Sequence, residues 1–120
     1  MKKHSIFLII ILFSLFLNSC KYDFIMPEVV APIDTTVPTS FATKVVPIFA
    51  DKCISCHKTQ HPMMSADVAY AQLVPNYVNT ASPESSKIYT VPSSGTHYAK
   101  ITAAQAALIL QWIKEGAKNN

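Results

Sequence analysis

The chain contains no arginine; its ten basic residues are all lysine. It therefore lacks the planar guanidinium fork that grips phosphates and base edges in two-point contacts, and no block of lysines replaces it, which excludes nucleic acid as the expected partner. Cysteine is scarce. Cys20, Cys53 and Cys56 make an odd set of three, too few for a disulfide framework, and an unmatched one in an exported chain requires a reason. A membrane-spanning run is missing as well. The longest apolar stretch, Ile6 to Leu17 broken only by Ser14, falls short of the ~20 residues that a bilayer core requires. Internal repeats and the alternating patterns of paired strands are absent, which leaves an all-α domain. No carboxylate pair and no nucleophile beside a base stands out, so the chain is not expected to be an enzyme.

What is present begins with a leader. Lys2, Lys3 and His4 precede the apolar run, and this order fits a secretory signal peptide over residues 1–19. The alternative is an uncleaved N-terminal anchor helix. Leu17-Asn18-Ser19-Cys20 resembles the bacterial lipobox. That resemblance implies that Cys20 becomes the first mature residue and carries a thioether-linked diacylglycerol and an N-acyl chain. Several acyl chains give durable anchoring where one is marginal. The expected location is then the bacterial cell envelope, with the domain held to a membrane on its periplasmic or outer-surface side. Lipidation of Cys20 also leaves Cys53 and Cys56 as a pair. Part of the formal charge of +3 belongs to the leader. Without Lys2 and Lys3, eight lysines face seven acidic residues.

Residues 20–38 read as the lipidated cysteine and a tether. Pro27, Pro32 and Pro38 recur there with no helical or alternating period, and proline removes donors and stiffens the chain. Such a segment spans on the order of 25 Å if flexible and about 60 Å if extended. A short edge strand through Glu28-Val29-Val30-Ala31 is the alternative. Residues 39–120 form the domain, small enough that it buries little apolar surface alone. Three helices are expected in it. The first is capped by Thr39 or Ser40, carries Phe41, Val45, Val46, Ile48 and Phe49, and is bent or interrupted by Pro47. The second is short, with Ser82 as its cap, Pro83 at its first position, and Ile88 and Tyr89 on it. The third opens on a Thr102–Gln105 capping box. It presents Leu108, Ile109, Trp112 and Ile113 as one apolar stripe and stops at Gly116.

The chemistry lies in Cys53-Ile54-Ser55-Cys56-His57. Cysteines three apart share one face of a helical turn. Two thiols so spaced can add across the two vinyl groups on one edge of a haem, and His57 can offer an imidazole nitrogen to the iron from the same side. The pattern is the attachment signature of c-type haem and predicts one covalent haem. The alternatives are a redox dithiol, which expects a βαβ setting absent here, and a zinc site, for which only His61 and His97 could supply a second pair.

From Val45 to Ala117 the chain resembles class I cytochrome c domains, in particular small bacterial ones on exported proteins. The matching pieces are Val46-Pro47-Ile48-Phe49, the Cys53-x-x-Cys56-His57 motif, Ser82-Pro83-Glu84-x-Ser86-x-Ile88-Tyr89 and Trp112-Ile113-x-x-Gly116-Ala117. The resemblance implies a small all-α fold in which the N- and C-terminal helices cross beside the haem, with Trp112 and Ile113 packed on the first helix. It also implies electron exchange with redox partner proteins. One departure concerns the second axial ligand. Typical members place a methionine in the loop before the last helix, but no methionine lies between Tyr89 and Thr102, and His97 is the strong iron ligand there. The expectation is therefore axial ligation by His57 and His97, with Gly95 giving the loop its freedom. The alternatives are ligation by Met63 or Met64, and an open sixth position. His61 is expected at the surface near the haem edge. Two rival functions follow from the alternatives: a small-ligand sensor or peroxidase-like site with a labile sixth position, or a haem subunit of a larger redox complex.

Overall fold

The first helix begins just after Ser40. In the computed structural model, which describes residues 29–98 and 100–120, the Ser40 side chain accepts the Thr43 N–H at 3.2 Å and so caps the first helix. That helix opens with a π-helical turn, Phe41–Val45, and continues as α1, Val46–Lys52. Pro47 is the cause. It has no N–H to give to the preceding turn, and its ring crowds the carbonyl four residues back. The wider turn before it, in which the Val46 N–H reaches the Phe41 carbonyl, relieves that crowding. At Cys53 the helix bends, then resumes as α2, Ile54–His57. Backbone bonds run through the bend, from Cys53 to the Phe49 carbonyl and from His57 to the Cys53 carbonyl, both at 2.9 Å.

A fourth helical segment, α3, Ala69–Tyr77, was not expected from the sequence. It buries Ala69 and Leu73 completely. The expected second helix is divided into a 3₁₀ turn, Pro83–Ser85, and α4, Lys87–Thr90. Ser86 separates them in an extended conformation. Its hydroxyl, nearly fully buried, accepts the Asn79 N–H at 2.9 Å. Ser82 makes no capping bond; the Asn79 side chain takes the Ala81 and Ser82 N–H groups instead. Two more 3₁₀ turns, Val91–Ser93 and Gly95–His97, lead to the last helix, α5, Ala103–Lys114.

Both bonds of the Thr102–Gln105 capping box are made, at 2.9 and 3.2 Å. Ile109, Trp112 and Ile113 are buried, and Leu108 is half-buried at the stripe's edge. Gly116 has φ +93° and Ala117 φ +50°. This left-handed pair reverses the chain so that the Ala117 N–H bonds the Trp112 carbonyl at 2.9 Å, closing the helix end. Trp112 packs on the first helix, its ring centroid 5.0 Å from that of Phe41. Its indole N–H donates to the Lys118 carbonyl at 2.8 Å. Phe41 also meets Phe49 and Tyr70 edge to face, so one ring ties α1, α3 and α5 together. Among the described residues every regular element is helical and no strand forms. Residues 29–38 form neither helix nor strand, with Val29 and Val37 exposed. The Thr36 N–H donates to the Asp34 carboxylate at 2.9 Å, and the Thr39 N–H ties the segment to the domain by donating to the Glu115 carboxylate. Among the described residues no helix is long and apolar enough to cross a membrane.

Candidate functional site

At the far end of the first helix from Thr39, the domain opens into a cleft of about 600 Å³, within the range of cofactor pockets. One wall is the bend of α1 into α2, which contributes Phe49, Cys53, Cys56 and His57. The loop to Pro62 and Met64 lies beside it. Tyr77, α4, the Val91–Pro92 turn, His97, Ile101 and Ile109 form the remaining walls. Four residues singled out by type and spacing, Cys53, Cys56, His57 and His97, therefore line one cavity although forty positions separate the two histidines. Cys20 lies outside the described residues.

Both cysteines are free thiols, Cys53 half-buried and Cys56 exposed. Burial pushes the Cys53 thiol up, which favours its protonated form. His57 is oriented through its ring: Nδ1 lies 3.0 Å from the Pro62 carbonyl. A carbonyl only accepts, so Nδ1–H donates to it, and in the neutral tautomer this fixes, Nε2 is the nitrogen with the lone pair. The Met64 N–H returns to the His57 carbonyl at 2.9 Å, which holds this loop against α2.

His97 ends the Gly95–His97 turn, where Gly95 takes φ +54°, a value costly for residues with a side chain. Its ring centroid lies 6.1 Å from that of His57, with the planes 30° apart. Two imidazoles coordinating one ion from opposite sides have centroids about 6 Å apart, because each N–metal bond is about 2 Å. The centroid separation is that of such a pair, while the two rings themselves lie stacked. Met64 is buried in the core and also touches the cleft. Met63 is half-buried and does not line it. His61 sits exposed at the rim, its Nδ1 3.0 Å from the Gln72 side-chain oxygen. Among the described residues no three His, Cys, Asp or Glu side chains group closely enough to hold a metal ion.

Two features of the site left no mark in the sequence. The Pro62 carbonyl orients His57, and a backbone acceptor has no residue signature. Lys87 and Lys100 reach the cleft from separate elements and look like isolated surface lysines in the chain. Comparisons of the chain with family models, with characterised proteins and with solved structures gave no match.

Proposed function

We propose that this chain is a monohaem c-type cytochrome of the class I kind, tethered through a lipidated Cys20, that carries single electrons between redox partner proteins. The observation that carries this reading is the approach of the His57 and His97 rings to 6.1 Å in a cleft whose wall bears Cys53 and Cys56. Among the described residues no third His, Cys, Asp or Glu joins the two imidazoles; a metal with its own equatorial donors, such as a porphyrin iron, would need only such a pair. A haem bound there supplies one-electron exchange between ferric and ferrous iron.

The chain's residues do the rest. The Cys53 and Cys56 thiols would hold the haem by adding across its two vinyl groups, sulfur to one carbon and hydrogen to the other, an addition that needs no oxidant. His57 presents Nε2 while its Nδ1–H, held by the Pro62 carbonyl, fixes the ring and increases its donor strength. His97 would hold the iron as the second imidazole. Phe49, Met64, Ile88, Ile101 and Ile109 line the cleft with apolar surface and would pack against the faces of the haem ring.

His97→Ala tests the reading. The wild-type protein should be low-spin and fail to bind carbon monoxide, and the variant should turn high-spin and bind it. A variant whose spectrum and potential match wild type removes His97 as ligand and directs mutation to Met63 and Met64. Carbon monoxide binding by the wild type would support the sensor or peroxidase-like reading instead.

A further inference from the structure

Among the described residues the cleft is lined by three lysines, Lys52, Lys87 and Lys100, and by no aspartate or glutamate. Lys52 precedes Cys53, and its ammonium lies 2.8 Å from the Asp51 carboxylate, so its charge is matched on the cysteine-bearing wall. Lys87 opens α4, and Lys100 follows the Gly95–His97 turn. Both belong to walls that carry no cysteine. Both are exposed, and among the described residues neither forms an ion pair. The Lys87 ammonium lies 5.9 Å from the centre of the Tyr77 ring, at the same mouth of the cleft.

We infer that Lys87 and Lys100 hold the two propionate carboxylates of the cofactor, an assignment that rests on the haem reading above. A haem carries its vinyl groups on one side of the ring and its propionates on the other. Thioethers at Cys53 and Cys56 tie the vinyl side to the α1–α2 wall, so the carboxylates emerge towards the walls without cysteine. Carboxylates at the edge of an apolar cleft are held by positive partners through charge-assisted hydrogen bonds. In a chain without arginine only lysine can provide them, as a point charge rather than a fork.

The test uses the haem-loaded protein. Lys87→Gln, Lys100→Gln and the double variant are compared with wild type by midpoint potential across the range where carboxylates and histidine titrate. A lysine beside a propionate keeps it ionised, so its loss should move the onset of the pH-dependent segment upward by about one unit. The other titratable groups lining the cleft are His61, Tyr77 and Lys52, the last paired with Asp51, besides the four residues that would hold the haem. Repeating the measurement in a His61→Gln background removes the histidine's contribution. Lys87→Arg and Lys100→Arg should restore the wild-type profile, and the low-spin spectrum should persist in every variant. An unmoved potential and pH profile in the double variant overturns the assignment. If reduction by anionic Fe(II)–EDTA then slows while reduction by hexaammineruthenium(II) quickens, the lysines serve an acidic docking partner instead. A wild-type protein without covalent haem overturns the proposed function and this inference together; haem-loaded variants with unmoved profiles overturn the lysine assignment alone.

Discussion

Trp112 is the residue whose removal should damage the domain most. It is completely buried, packs on Phe41 at 5.0 Å, and spends its one donor on the Lys118 carbonyl. A buried tryptophan removes up to ~250 Å² from water, worth about 6 kcal/mol at ~25 cal/mol per Å². Measured Trp→Ala costs in cores are about 3–5 kcal/mol. A domain this size sits near the low end of the usual range of about 5–15 kcal/mol. Trp112→Ala should therefore remove most of the stability, and with it the floor of the cleft, because Ile109 on the same helix lines that cleft. Trp112→Phe keeps much of the apolar surface and loses the indole donor. Lys118 is exposed, so its carbonyl can turn to water, and the cost should stay at about 1–2 kcal/mol. At about 4–8 °C per kcal/mol, the phenylalanine variant should melt roughly 5–15 °C below wild type. Thermal unfolding followed by far-ultraviolet circular dichroism measures both variants. A Trp112→Ala protein that melts within a few degrees of wild type would refute the packing described here.

Three further outcomes are expected. Replacing Cys53 and Cys56 by Ala should abolish covalent haem and leave the domain largely unfolded, because its core is under-filled without the cofactor; haem staining after denaturing electrophoresis, or cooperative melting of the haem-free variant, contradicts this. Burial pushes the Glu115 carboxyl up, but hydrogen bonds from Gln111 and Thr39 outweigh burial and hold it below the ordinary carboxylate range. A lowered folded-state pKa stabilises above the unfolded value, and that contribution is lost as pH falls through the folded value. Glu115→Gln should therefore cost about 1 kcal/mol near neutrality, with the gap to wild type closing in acid; a gap that widens in acid refutes it. Cys20→Ser should abolish acyl labelling and release the chain or leave its leader uncleaved, whereas normal labelling would remove the lipobox assignment.

The elements legible in the sequence are those fixed by neighbours in the chain. Ser40 caps through a residue three positions on, and Thr102 and Gln105 close their box within one turn. The α5 stripe follows from period alone. Pro47 announced an interruption but not its π-helical form, which depends on how the preceding turn relaxes. α3 was hidden because Val68 makes no side-chain cap and Pro75 stands in its last turn. Its formation depends on burying Ala69 and Leu73 against other elements. Ser86 broke the expected second helix through a bond to Asn79, seven residues away, a contact no local pattern signals. The cleft divides the same way. Cys53, Cys56 and His57 are legible because the chemistry demands that spacing. His97 was legible by elimination, but its 6.1 Å approach to His57 is a tertiary fact.

The most direct measurement is a pyridine haemochrome spectrum of the purified protein, taken after denaturation and acid–acetone extraction. The predicted result is one haem per chain that stays with the polypeptide and gives the α band of a porphyrin with both vinyl groups saturated. Haem that is fully extracted, or a preparation that contains zinc and no haem, would contradict covalent attachment at Cys53 and Cys56 and the electron-carrying role that rests on it.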